Sequence, residues 1–203
     1  MNILIVIPVY NNENTCNKLI NEIISLYDND ILIIDDGSKT PFKLKINKNQ
    51  ISVISYDKNK GKGYALKTAI KYSLKYTYTH ILTIDSDYQH DPKFIKSFLD
   101  KREDVKIVYG KRKFDNNMPF MRICSNKITS NIISYLKGFN IYDTQCGFRR
   151  YSINLFDNII LCENGYQFES ELLLKCVYGK NEISYIEIPT IYNRSKSNIN
   201  NIF

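Results

Sequence analysis

What the chain lacks already removes several kinds of protein. Its five cysteines (Cys16, Cys124, Cys146, Cys162, Cys176) form no C-x-x-C pair. Their odd number, with no signal peptide ahead of them, points to a reducing compartment. The N-terminal run Ile3 to Ile7 is too short for a signal h-region and has no basic flank. No apolar stretch approaches the roughly 18 residues of a spanning helix. The expected location is therefore cytoplasmic, at most resting on the cytoplasmic face of a membrane. The G-x-x-x-x-G-K-[ST] spacing of a Walker A loop is missing. The first βα turn holds no glycine, so a dinucleotide fingerprint is missing too, and hydride transfer is disfavoured. Zinc-finger spacing and other nucleic-acid fold motifs are also lacking, so no nucleic-acid partner is expected. Tryptophan is absent beside 16 tyrosines. That imbalance reflects composition bias and carries no functional reading.

What is present is ordinary in amount. The 203 residues suffice for one domain, 43% are hydrophobic and 24% charged. The net charge of +7 suits a phosphorylated ligand, an anionic membrane or a nucleic acid, and charge alone does not choose among them.

The first half alternates short β-branched runs with helical patterns. Asn2 to Ile7 reads as a continuous apolar strand stopped by Pro8. Leu19, Ile20, Ile23, Ile24 and Tyr27 recur at helical spacing. Ile31 to Ile34 and Ile51 to Ser55 are further strands, Gly63 to Tyr76 a helix, and Ile81 to Ile84 a fourth strand. Strands without polar alternation are buried on both faces, as in parallel sheets. The expected fold is a three-layer α/β/α domain with a mostly parallel central sheet, spanning residues 1–203 without a linker. Beyond Asp87 the pattern predicts a helix over Pro92 to Lys101 and a strand over Val105 to Tyr109. A long, mostly helical stretch over Met118 to Gly138 follows, with apolar Met121, Ile128, Ile132 and Leu136. A helix over Phe168 to Tyr178 and a last strand over Ile183 to Ile188 complete it.

Each strand end of the first half carries polar or small residues. They are Pro8-Val9-Tyr10-Asn11-Asn12-Glu13, Asp35-Asp36-Gly37-Ser38, Asn59-Lys60-Gly61-Lys62-Gly63 and Asp85-Ser86-Asp87-Tyr88-Gln89-His90-Asp91-Pro92. Open α/β sheets bind ligands at this edge. Asp85 and Asp87, one residue apart, offer hard oxygens that hold Mg²⁺ or Mn²⁺ against a pyrophosphate. An acidic turn capping the next helix is the plainer alternative.

These four segments, in this order and spacing, resemble family 2 inverting glycosyltransferases of the GT-A fold, and most closely the dolichyl-phosphate mannose and glucose synthase-like branch. Gly110-Lys111-Arg112, Asp143-Thr144-Gln145-Cys146-Gly147-Phe148-Arg149, Phe168-Glu169-Ser170-Glu171-Leu172-Leu173 and Ile188-Pro189-Thr190-Ile191-Tyr192 are similar to the later motifs of that branch. The resemblance implies a UDP- or GDP-sugar donor and a polyprenyl phosphate acceptor. Residues 1–90 would form the nucleotide-binding half and 91–203 the acceptor side. Pro8, Tyr10 and Glu13 would line the nucleoside pocket, with Ile33 beside them and Asp35 contacting base or ribose. Asp85, Ser86 and Asp87 would flank the diphosphate. Asp85, Asp87 and Gln89 would form the metal set for Mg²⁺ or Mn²⁺. Arg112 and Arg122 would suit a diphosphate or an acceptor phosphate. Lys62 is counted among the donor contacts, although Lys60 and Lys62 both read as solvated.

A departing nucleoside diphosphate must have its charge stabilised, which a metal and cationic side chains can do. A phosphate acceptor is already ionised, whereas a glycan or other hydroxyl would need a carboxylate base. Glu169 and Glu171 are the candidates, and their i, i+2 spacing lets at most one face the site. A nucleotide-sugar-binding module without turnover is the reading from another class. Many members of the branch carry membrane helices or an anchor that this stretch of sequence does not show. A lipid acceptor would then need a surface dock, with Met118-Pro119-Phe120-Met121 and the following helix as candidate beside plain core packing.

Overall fold

The computed structural model describes residues 1–113, 120–157, 159–189 and 191. Its centre is a seven-stranded sheet: β1 (Ile3–Val9), β2 (Ile31–Asp35), β3 (Ile51–Ser55), β4 (His80–Thr83), β5 (Ile107–Arg112), β6 (Arg149–Ser152) and β7 (Ile183–Ile188). The order across the sheet is β3-β2-β1-β4-β6-β5-β7. β6 runs antiparallel to both neighbours and every other pairing is parallel. The helices are α1 (Glu13–Leu26), α2 (Lys62–Lys75), α3 (Ile95–Leu99), α4 (Phe120–Lys137) and α5 (Phe168–Cys176).

Side chains along β1 alternate between two cores, as the strand period of two requires. Leu4 and Val6 pack with Ala65, Leu66 and Ala69 of α2 and with Leu172 and Leu173 of α5. Ile3, Ile5 and Ile7 pack with Leu19, Ile20 and Ile23 of α1 and with Ile95 and Phe98 of α3. The result is the expected three-layer α/β/α arrangement.

Three expectations change. First, β1 runs through Pro8 to Val9. The Val6 carbonyl accepts from Ile84 N, so Val6, and Pro8 two residues on, turn their backbone polar groups toward β4. Pairing on that side stops at Thr83, so the missing proline N–H costs no ladder bond. Second, β3 and β7 are edge strands and are only half-buried. Third, β6 is a strand that the pattern did not announce. It carries Arg149 and Arg150, both fully buried, on opposite sheet faces. Arg150 donates to the carbonyls of Lys101 at 2.7 Å, Arg102 at 2.6 Å and Phe98 at 3.1 Å, and so closes the end of α3.

Candidate active site

The parallel strands β3, β2, β1 and β4 end on one edge, and their loops are tied together there. Asn11, with φ 53°, donates its backbone N–H to Ser38 Oγ at 2.8 Å, and its side-chain Oδ1 accepts from Lys39 N at 2.8 Å. Asn12 Nδ2 donates to the Ser86 carbonyl at 3.2 Å. Between these loops opens a cleft of about 690 Å³ lined by residues 11–15, 38–40 and Phe42, with Glu13 among them. Its size is that of a small-molecule site. Tyr10 lies half-exposed at the end of β1.

Two expected nucleoside contacts stand elsewhere. Ile33 is fully buried in the core with Ile5 and Ile7, so it does not line the cleft. Asp35 is buried, and its carboxylate accepts from Ser38 N at 3.0 Å and Phe42 N at 2.9 Å. A carboxylate so enclosed must be satisfied by its own loop, and Asp35 shapes the cleft wall. Asp36 does the same one loop further, accepting from Lys60 N at 2.8 Å and Gly61 N at 2.9 Å.

The charged centre lies at the end of β4. Lys62, the first residue of α2, is not solvated: its side chain is 14% exposed. Its Nζ stands 2.7 Å from Asp85 Oδ1 and 2.8 Å from Glu169 Oε1. Burial opposes the ammonium charge, but the two carboxylates outweigh it and hold the Lys62 pKa above its ordinary value. Burial also works against ionised Asp85, and Lys62 outweighs it in turn, so that carboxyl lies below its usual range. Asp87 differs. Burial, and then the charge of Asp85, push it up to about 6. Gly147, in the lead-in to β6, abuts this cluster so closely that a Cβ there would come within 2.5 Å of Lys62 Nζ and 2.6 Å of Asp85 Cγ.

Arg112 was expected to suit a donor diphosphate or an acceptor phosphate. Asp143 holds it. Arg112 Nε donates to Asp143 Oδ2 and Nη2 to Oδ1, both at 2.7 Å, and the Arg112 amide adds a third bond at 2.9 Å. Asn126 Nδ2 of α4 donates to Asp143 Oδ1 at 2.7 Å. The fork is thus fixed while its charge still acts on Asp85 and Asp87. Arg122 lies half-buried in the first turn of α4, four residues before Asn126 and so on the same side of the helix.

The two candidate bases separate as their spacing requires. Glu169 faces Lys62. Glu171 accepts from Cys162 N and Glu163 N, each at 2.9 Å, and from Lys175 Nζ at 2.7 Å. It organises the loop before α5 and is no base for this site. Arg149 ties the same region together: it donates to the carbonyls of Cys146 and Thr144 at 2.6 Å and of Glu169 at 3.3 Å. His90 is buried against Phe148, with ring centroids 5.5 Å apart, and burial lowers its pKa to about 4. Its Nδ1 has no partner among the described residues.

Among the described residues no three His, Cys, Asp or Glu groups converge to hold a metal by themselves. The two aspartates nonetheless fit a divalent cation of the Mg²⁺ type, which takes one or two carboxylates and completes its shell with phosphate and water. Burial, and then the charge of Asp85, disfavour the ionised Asp87 carboxylate, and a cation bound there would favour it. Gln89 lies in the same turn, its amide donating to Asp87 Oδ1 at 3.1 Å. Protons and cation then compete for Asp87. With UDP present, Mn²⁺ affinity measured by calorimetry should be flat above about pH 7 and fall roughly tenfold per unit below about pH 6. An affinity unchanged down to about pH 5 contradicts the assignment of Asp87 as a ligand.

Comparison with known proteins places this geometry. The profile of Glycosyl transferase family 2 matches residues 4–160. An uncharacterized protein of Methanocaldococcus jannaschii is 31% identical over 230 residues, covering 98% of each chain. The UDP-N-acetylglucosamine–dolichyl-phosphate N-acetylglucosaminyltransferase of Methanococcus voltae is 28% identical, over 94% of this chain and 86% of its own. Among solved structures, glucosyl-3-phosphoglycerate synthase of Mycobacterium tuberculosis, in complex with Mn²⁺, UDP and phosphoglyceric acid, superposes with a TM-score of 0.71 at 19% identity. That match covers 96% of this chain and 71% of the synthase.

Proposed function

The chain belongs to glycosyl transferase family 2, and we propose that it moves a sugar, with inversion, from a UDP- or GDP-sugar to a polyprenyl phosphate in a metal-dependent reaction. The observation that carries this is the Asp85–Asp87 pair at the end of β4, set with Lys62 and Arg112 beside it. The dolichyl-phosphate acceptor in the name of the methanococcal relative supports the acceptor class, and the Mn²⁺ and UDP of the structural neighbour support the donor side.

In this reading residues 1–90 supply the donor cleft and residues 91–203 the acceptor side. Asp85, Asp87 and Gln89 hold the cation. When bound, the cation draws charge from the leaving diphosphate. Lys62 and Arg112 add positive charge at the same place, and Asp143 holds the Arg112 fork ready so that little reorganisation is needed. An ionised phosphate acceptor needs no base. Glu169, ion-paired to Lys62, then serves to hold that ammonium beside Asp85. With its acceptor in a membrane, the enzyme works at the membrane surface.

A hydroxyl acceptor with Glu169 as base is the second reading, favoured by Glu169 being the one acid of α5 that faces the site. Glu169→Gln separates the two. A phosphate acceptor predicts a kcat loss under about tenfold, and a hydroxyl acceptor a loss of about a hundredfold or more. The assay pairs UDP- and GDP-sugars with a polyprenyl phosphate and Mn²⁺. Transfer to a glycan hydroxyl and none to the lipid phosphate would overturn the first reading.

A further inference from the structure

Helix α4 turns most of its large apolar side chains outward. Its inward side carries Asn126 and Ser130, 1% and 7% exposed, with Ile133 packed into the core. Its outward side carries Met121, Ile128, Ile132, Tyr135 and Leu136, exposed by 69, 59, 55, 87 and 62%. The apolar stripe, for which the sequence left core packing and a surface dock both open, faces away from the core. The reason lies within: Asn126 is bonded to Asp143, and Ser130 Oγ lies 3.3 Å from Asn126 Oδ1 and 3.2 Å from Thr144 Oγ1. A buried polar network needs those residues on the inner face, and apart from Ile133 the large apolar ones named above lie on the other. Large apolar side chains grouped on an exposed face mark a surface with a partner.

We infer that this face of α4 seats the protein in the interface of an anionic lipid bilayer. Charge and dimensions select that partner. The helix bears Arg122, Lys127 and Lys137 and no acidic residue, within a chain of net charge +7. Lys137 caps α5 by donating to the carbonyls of Leu174 and Val177, both at 2.6 Å. Arg122 and Lys127 flank the stripe on its two sides, at about 100° per residue around the helix. The 18 residues span about 27 Å and present one helix width. That is well short of the roughly 800 Å² per partner of a stable dimer. No helix among the described residues is long and apolar enough to cross a membrane. A cationic helix with one apolar face lies in the interface plane. Asn126 of the seated helix bonds Asp143, which in turn bonds Arg112, so the helix is linked to the charged centre through one carboxylate.

The inference rests on the lipid-acceptor reading for its purpose, but its test measures vesicle binding without turnover, so the two can fail separately. The full chain is sedimented with vesicles of phosphatidylcholine alone and of phosphatidylcholine mixed with phosphatidylglycerol. Wild type should bind the mixed vesicles, more weakly at high salt, and bind the neutral ones far less. Ile128→Asn with Ile132→Asn should cut that partitioning by about tenfold or more, while the thermal shift with UDP and Mn²⁺ is kept. Lys127→Glu, an exposed change, should lower binding to the mixed vesicles alone, and decides the matter if the double variant does not fold. Absent vesicle binding, or binding that none of these substitutions alters, overturns the inference. So does a concentration-dependent dimer in sedimentation velocity that the same substitutions dissolve, which would assign the face to a second copy.

Discussion

Asp87→Asn is expected to lower kcat/KM by about a thousandfold and to remove the Mn²⁺ dependence of what remains. The amide keeps the shape of the side chain and its bond from the Gln89 amide, so the fold should be untouched. What is lost is the carboxylate whose pKa is raised by burial and by Asp85, and which has the most to gain from a cation. Asp85→Asn should cost a similar factor for a second reason, because it also strips Lys62 of one of its two carboxylate partners. The measurements are steady-state transfer across a Mn²⁺ series and thermal unfolding with and without UDP and Mn²⁺. If either variant turned over at the wild-type rate, the metal–diphosphate reading of β4's end would be wrong.

The second large effect is on stability. Asp143→Ala should destabilise the protein by about 3–5 kcal/mol, because it leaves the Arg112 guanidinium nearly buried without its carboxylate. In thermal unfolding this is a drop on the order of 10 °C. Arg112→Leu combined with Asp143→Leu should recover part of that stability, since both members of the ion pair are then removed together, but should not recover transfer. The pair also has a pH signature. Burial works against ionised Asp143, but its bonds from Arg112 outweigh this and lower the folded pKa below the ordinary 3.8. Its stabilisation is therefore complete above that ordinary value and lost as pH falls through the lower, folded one. Urea midpoints across acid pH for wild type and the double variant would show it. Equal acid sensitivity in both would refute the assignment.

Much of this was legible in the sequence because it is local. The unbroken apolar runs of β1, β2 and β4 pointed to a parallel sheet, and the polar segment after each pointed to a candidate site at their common edge. The D-x-D after β4 marked the charged centre. The i, i+2 spacing of Glu169 and Glu171 meant that only one could face it. Long-range pairing was not legible. Arg149 and Arg150 do not look like residues of a central strand; only the carbonyls gathered around them from α3, α5 and the 144–146 turn make that burial tolerable. Lys62 looked like a surface lysine because its partners lie 23 and 107 residues further along the chain.

The amino-acid order alone thus gave most of the element types, since these follow from periodicity, and the resemblance of its motifs gave the family; Asp85 and Asp87, one residue apart along the chain, are the acids it marks as candidates to bind a cation. Folding alone decided direction and partnership. Whether the stripe of α4 turns inward or outward, whether Arg112 is held by Asp143, and whether Asp35 meets a ligand or its own loop all depend on which distant polar groups need satisfying. Hydrophobic spacing defines a face, but buried hydrogen bonds choose where that face points.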